Sequence, residues 1–245
     1  MFRKLYGFYS NVFLRGIVLP FYYRLLRSSF KLFGIFAKVS LSQFSEDLII
    51  DIILKNAKKT KGIFIDVGCN HPIEYNNTYL LYLRGWRGIN IDGNEKLISL
   101  YSKFRKEDIN LNYLVSDKEE DVVFNVSHKD KLSTIDPGHI NLFGEKNFPE
   151  SQRVTMRTKT LNSILHEHLA KFDKPIDLLC IDAEGHDFEV LNSIDLDKYA
   201  PYLVVIEMHD FSIDDCLNDK IYSLLIGKGY KLSNFVFSNG YFIRN

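Results

Sequence analysis

Residues 62–94 read GIFIDVGCNHPIEYNNTYLLYLRGWRGINIDGN, and the fold is decided here. Residues 62–67 (GIFIDV) are an almost unbroken apolar run, the pattern of a parallel strand covered on both faces. The run stops at Gly68, residues 76–84 carry helical spacing up to Gly85, and a second apolar run follows at 88–92 (GINID). Strand, helix and strand in this order predict a crossover unit of a parallel sheet.

The same alternation continues outward. Leu48, Ile49, Ile52 and Ile53 predict a helix over 43–58, and another spans 94–106. Residues 111–116 and 121–126 read as two strands separated by a charged turn. The stretch 127–152 has no clear period and holds Pro137, Gly138, Gly144 and Pro149, and long connections of this kind often carry function. Thr160 opens a helix with Leu161, Ile164, Leu165 and Leu169 that stops before Pro175. A buried strand at 176–181 precedes a helix with Phe188, Val190, Leu191 and Ile194, and another strand lies at 202–206. A helix over 213–227 leads to strands 230–237 and 240–244, joined at Asn239-Gly240, a hairpin signal. The expected class is α/β, a doubly wound and mostly parallel sheet closed by a hairpin.

Composition bounds the function. With 245 residues, 46% hydrophobic and 25% charged, the chain suits one globular domain with an appendage and excludes disorder. Basic and acidic side chains balance at 31 each, so net charge gives no case for nucleic acid. The balance hides a segregation. Residues 1–40 hold seven basic side chains and no carboxylate, leaving 24 basic against 31 acidic in residues 41–245. The boundary at 40 divides a basic, aromatic N-terminal helical extension from the main domain. Three readings of the extension stand: interfacial helices on an anionic membrane, a helical cap over the domain, and an arginine-rich targeting peptide. No run of 18 apolar residues exists, and Arg15 and Arg24 interrupt the most hydrophobic part, against a plain spanning helix. Cys69, Cys180 and Cys216 form no C-x-x-C pair, which argues against a disulfide framework or zinc site and for a reducing compartment.

In open α/β sheets ligands bind beyond the carboxyl ends of the strands. The first strand ends at Asp66-Val67-Gly68-Cys69-Asn70-His71, where Gly68 permits a sharp turn and close approach of a ligand. The second ends at Asp92, whose carboxylate can accept hydrogen bonds from both hydroxyls of a ribose. The alternative is that both aspartates are helix caps. Neither G-x-G-x-x-G nor the phosphate-binding G-x-x-x-x-G-K-[ST] occurs, which disfavours a dinucleotide oxidoreductase and favours a nucleoside ligand without phosphates, as S-adenosylmethionine is. Later strand ends add Ser116 and Asp117, then Asp182, Glu184 and His186, then Glu207, His209 and Asp210. Asp187 and Glu189 read as first-turn helix acids, and His209 also reads as an ordinary loop histidine. Asp182, Glu207 and His209 together could bind a hard divalent cation, though no metal motif is present and no resident metal is expected.

These motifs in this order resemble the FkbM-type methyltransferase family. Residues 42–47 (SQFSED) are similar to its S-Q-x-G-E-D opening, with Ser45 in place of glycine, and residues 64–72 (FIDVGCNHP) and 76–94 carry its most specific part. DINLNYLVSDKEEDVVF at 108–124, STID at 133–136 and IDLLCIDAEGHDFEVL at 176–191 complete the series. The resemblance implies a Rossmann-like seven-stranded sheet with a terminal antiparallel hairpin and S-adenosylmethionine as cofactor. Gln43 belongs to the opening motif assigned to the cofactor site; Asp66, Gly68, Cys69 and Asn70 would hold the methionine part, Asp92 the ribose, and Ser116 and Asp117 would lie near the adenine. The expected reaction is methyl transfer to a hydroxyl of a sugar, surface glycan or glycolipid precursor. His71, Glu184, His186 and His209 are the candidate bases, and Asp182 would orient the base or a metal. The alternatives are methylation of a small secondary metabolite and a non-catalytic scaffold of the same fold. The setting is the cytoplasm, with the extension on the inner membrane face if the interfacial reading holds.

Overall fold

The computed structural model describes residues 38–127, 133–136, 144–149 and 153–244, with isolated positions 25, 28, 138, 140 and 141. All three readings of the 1–40 extension, and residues 128–132, 137, 139, 142–143 and 150–152 of the 127–152 stretch, therefore lie outside the described residues. The order is α1 (Glu46–Asn56), β1 (Ile63–Val67), α2 (Tyr79–Leu83), β2 (Arg87–Ile91), α3 (Glu95–Phe104), β3 (Ile109–Leu111), β4 (Leu114–Val115), β5 (Asp121–Asn125) and β6 (Arg153–Lys159). There follow α4 (Leu161–His168), β7 (Ile176–Ile181), α5 (Asp187–Asn192), α6 (Leu196–Tyr199), β8 (Leu203–Glu207), α7 (Lys220–Gly227), β9 (Tyr230–Val236) and β10 (Asn239–Arg244).

The main sheet runs β3-β2-β1-β7-β8-β10-β9, parallel from β3 to β8 and antiparallel through the terminal hairpin. It is the expected Rossmann-like, mostly parallel sheet of seven strands. The apolar runs arise because the central strands are buried on both faces. Ile65, Val67, Leu179, Ile181, Val204 and Ile206 join one core, whereas Phe64, Leu178, Cys180, Leu203 and Val205 join the other. Each such side chain contributes about 1.5–3 kcal/mol by leaving water, so the sheet holds helices on both sides. Strand order reverses between β1 and β7, which opens a crevice at their carboxyl ends.

Three local expectations are corrected. The strand expected at 111–116 splits into β3 and β4, because the Asn112 amide donates to the carbonyls of Asp92 and Gly93 and draws the chain back between them. A second, three-stranded sheet, β4-β6-β5, contains β6, which the sequence did not suggest. The helix expected over 213–227 breaks at Asp219, which is extended and caps α7 by accepting from the Tyr222 amide. Among the described residues no helix is long and apolar enough to cross a membrane.

Candidate active site

The loop after β1 is shaped by its neighbours. Gly68 has φ +73°, and a Cβ there would lie 1.7 Å from the Asp182 carbonyl at the end of β7. Glycine is thus demanded by the adjacent strand as well as by the turn. Behind the loop, the Asn76 amide donates to the carbonyls of Cys69 (3.0 Å) and His71 (3.1 Å), and the Tyr101 hydroxyl donates to Cys69 (2.6 Å). Arg105 is fully buried and holds this support in place, donating to Asn76 (3.0 Å), Thr78 (2.9 Å) and Asp108 (2.9 Å). The Thr78 hydroxyl donates to Asp66 at 2.6 Å. Burial lifts Asp66 to about 6, against the opposing pull of Thr78 and Arg105. The Cys69 thiol, 3% exposed, is pushed up by burial and stays neutral.

Two clefts meet at this loop. The first is lined by Gly68, Asn70, Asp92, Phe124, Thr134 and His186, among others. Asp92 sits just beyond β2, and its two oxygens accept from the amides of Asn70 (2.9 Å) and Asn94 (2.8 Å). A carboxylate oxygen carries two lone pairs and can accept more than one hydrogen bond. Residues 133–135 form part of the wall, and the Thr134 hydroxyl clamps the turn after β7 by donating to the Glu184 carbonyl (2.9 Å).

The second cleft is lined by Gln43, Phe44, Asp66, Tyr75, Glu207 and His209, among others, and it shares Gly68, Asn70, Asp182 and Glu184 with the first. One oxygen each of Asp182, Glu184 and Glu207 lie within 4.8 Å of one another. Of the suggested cation ligands, Asp182 and Glu207 are therefore together with Glu184, while His209 is the ion-pair partner of Glu207 at 3.1 Å. The three acids are complementary to positive charge.

Burial, reinforced by Glu207, Glu184 and Asp187, pushes Asp182 far above the carboxylate range, so it keeps its proton and donates it to Glu207. Burial opposes ionisation of Glu207 as well, but the hydrogen bond and charge of His209, with the Ser238 hydroxyl (3.1 Å), outweigh it and hold Glu207 low. The hydrogen bond to Glu207 lifts His209 to about 9, so its imidazole is protonated at neutral pH. Asp187 is 4% exposed and rises to about 7 through burial and the charge of Glu207, although the amides of Ala183 (2.8 Å) and Gly185 (3.2 Å) donate to it.

Gln43, Asp66, Gly68, Cys69, Asn70, Asp92, Asp182, Glu184, His186 and His209 all line one cleft or both. Three others lie outside both linings. Ser116 is buried with its hydroxyl 3.0 Å from His186 Nε2, and Asp117 accepts from Asn192 at 3.4 Å. His71 turns its Nδ1 to the amides of Ile73 (3.3 Å) and Glu74 (3.0 Å). Sequence reasoning missed the support from Asn76, Thr78, Tyr101 and Arg105, although the N-N-T before α2 is a turn and capping signal that marks the place. It also read Asp187 only as a helix acid.

A family model described as the methyltransferase FkbM domain matches residues 66–232, from the end of β1 into β9. No curated protein and no solved structure matches the chain. The matched segment carries both aspartate strand ends, the acid trio and the turn that joins the two clefts. The chain belongs to the FkbM methyltransferase family, and it is a methyltransferase.

Proposed function

We propose that this methyltransferase takes its methyl group from S-adenosylmethionine and transfers it to a hydroxyl of a sugar, surface glycan or glycolipid precursor. The observation that carries the proposal is the meeting of the two clefts at Gly68, Asn70, Asp182 and Glu184. The donor set fits the cofactor. The first cleft offers the Asp92 carboxylate to a ribose diol, and the second offers the acid trio to the sulfonium and ammonium charges. Asp92 would hold the ribose, and Asp66, Gly68, Cys69 and Asn70 would surround the methionine part. When bound, the cofactor supplies an electrophilic methyl group, and its sulfur retains the bonding pair as a neutral thioether.

The chain's own task is to align the acceptor oxygen and remove its proton. Among the candidate bases, Glu184 is favoured. It is the one that lines both clefts, whereas His186 faces only the first and His71 neither. His209 is held as imidazolium by Glu207 and has no free lone pair to accept a proton. Asp182, already protonated, donates to Glu207 and orients the wall beside Glu184. The basic extension would bring the chain to a membrane-borne acceptor.

Calorimetry with S-adenosylhomocysteine and transfer of labelled methyl to a panel of pyranosides and glycolipids test the proposal. The unaltered chain is expected to bind and transfer, and Glu184→Gln to bind more weakly through loss of one carboxylate facing the ammonium, yet at saturating cofactor to transfer about 10²–10⁴-fold more slowly. Absence of S-adenosylhomocysteine binding overturns the cofactor assignment, and a normal rate in Glu184→Gln overturns the base.

A further inference from the structure

Five of the eight described non-glycine residues with positive φ gather around the second cleft. Asn70 (φ 51°), Tyr75 (52°) and Glu184 (50°) line it, while Ser45 (68°) and Phe237 (54°) adjoin the lining residues Phe44 and Ser238. L-residues resist this region, and a bulky aromatic residue in it is an outlier. The aromatic side chains are also exposed: Phe237 by 67%, Tyr75 by 51% and Phe44 by 39%. The rings of Phe44 and Phe237 stack on each other with centroids 4.3 Å apart and planes at 24°. For folding alone, strained backbone and aromatic surface left in water are both costs. Outliers that persist on such terms concentrate at functional sites.

We infer that Phe44, Phe237 and Tyr75 form a stacking subsite at the mouth of the second cleft for the C–H face of a neutral pyranose ring of the acceptor. The inference rests on the proposed methyl transfer and narrows its substrate class. The wall of the same cleft presents Glu184, Glu207, Ser238 and Asn239, groups that accept from hydroxyls. A pyranose carries hydroxyl donors around an apolar C–H face, and so matches both rings and acceptors. A sugar phosphate, a uronic acid or a nucleotide sugar would bring negative charge against Glu184 and Glu207, of which the His209 imidazolium offsets only one, and is selected against. An anionic lipid surface meets the same repulsion. A flat phenol would stack but has too few donors for the acceptors.

The test is saturation-transfer NMR on the full chain loaded with S-adenosylhomocysteine. The probes are methyl α-pyranosides of the gluco, manno, galacto and 6-deoxy-manno series, with mannose 1-phosphate, catechol and phosphatidylglycerol vesicles as contrasts. At least one neutral pyranoside is expected to receive saturation on the C–H protons of one face, and mannose 1-phosphate to receive less. Phe237→Asn removes the ring but suits a positive φ, so the fold is kept; it should weaken the sugar about 3- to 10-fold with S-adenosylhomocysteine affinity unchanged, and Phe44→Ala should weaken the sugar by a similar factor. The inference is overturned if no pyranoside binds the loaded protein, if Phe237→Asn leaves sugar binding unchanged, or if catechol or vesicles are the probes that depend on Phe237. Failure of the unaltered chain to take up S-adenosylhomocysteine overturns instead the parent proposal.

Discussion

Replacing Asp92 by asparagine keeps the volume of the side chain and changes only its charge and one of its terminal atoms. In the native protein both oxygens accept from backbone amides, those of Asn70 at 2.9 Å and Asn94 at 2.8 Å, and on the proposed reading a ribose diol would bind to the same two oxygens. In the variant one terminal atom is a donor facing a donor, whichever way the amide is turned. A hydrogen bond to a charged acceptor is worth about 1.5–3 kcal/mol and a neutral one about 0.5–1.5 kcal/mol, so each ribose hydroxyl loses about 1–1.5 kcal/mol. Two hydroxyls lose roughly 2–3 kcal/mol, which is about 30- to 150-fold in affinity. The two backbone amides suffer the same change, but the loop is half-buried and water can replace part of the loss. A stability cost of about 1–2 kcal/mol and a Tm lower by about 2–8 °C are therefore expected.

Calorimetry with S-adenosylhomocysteine and with its 2′-deoxy analogue, each on native and variant protein, separates the ribose contact from the loop. If Asp92 holds the ribose, the deoxy analogue binds the native protein weakly and is much less sensitive to the substitution, a coupling that a double-mutant cycle reads directly. Equal losses for both ligands would mean that Asp92 acts only by shaping the loop. Affinity within threefold of native for S-adenosylhomocysteine would refute the assignment of the first cleft altogether.

Other perturbations test separate parts of the site. Gly68→Ala would drive a methyl group into the Asp182 carbonyl at a φ of +73°, so a loss above about 4 kcal/mol and failure to fold are expected; a soluble variant melting within 5 °C of native contradicts that geometry. The pH dependence of the unliganded protein has a definite sign. His209 titrates near 9 when folded against 6.5 when free, so its stabilisation is complete below pH 6.5 and disappears as pH rises to 9. Asp187 rises from 3.8 to about 7, so its contribution is complete at low pH and lost between pH 4 and 7. The melting temperature attributable to this cluster should fall from pH 4 to 9, and Glu207→Gln should flatten the limb above pH 6.5; an unchanged limb contradicts the pairing. Removing residues 1–37 spares Ser40 and Leu41, which donate to Asp47 at 2.6 and 2.8 Å. The shortened chain should keep its melting temperature and S-adenosylhomocysteine affinity but lose salt-sensitive binding to phosphatidylglycerol vesicles, whereas an unstable product would assign the extension to capping.

The large sheet was legible because burial on both faces writes itself into sequence as apolar runs, and the ends of those runs named Asp66, Asp92, Asp182 and Glu207 as rim residues. The second sheet was not legible for the opposite reason. In β6, Arg153, Val154, Thr155 and Arg157 are all exposed, so no apolar face advertises the strand. The hairpin was foreseen but its corner was not. Phe237 takes the positive φ, and Gly240 lies in β10, where a Cβ would come within 2.7 Å of the Met208 sulfur and the Phe242 ring. At Ser45, φ +68° explains why glycine suits that position of the family's opening motif, a backbone requirement that residue identity alone does not reveal.

Residue type placed candidate groups at the rim but not their protons, because protonation is set by surroundings and those are assembled from distant segments. By type, His209 is one of four candidate bases, with His71, Glu184 and His186, and Asp187 a first-turn helix acid. The carboxylate of Glu207 makes His209 an imidazolium, and burial brings Asp187 to half-protonation near pH 7. Asp182 is driven to hold its proton by the same crowding of acids. The cluster therefore limits its own negative charge while no cation is bound, using the His209 imidazolium and the protons on two carboxylic acids. A ligand bearing positive charge at the junction removes the reason for those protons, and the carboxylates can then ionise around it. On the proposed reading, cation binding and proton release would be coupled where Glu184, the proposed base, has to receive a proton from the acceptor.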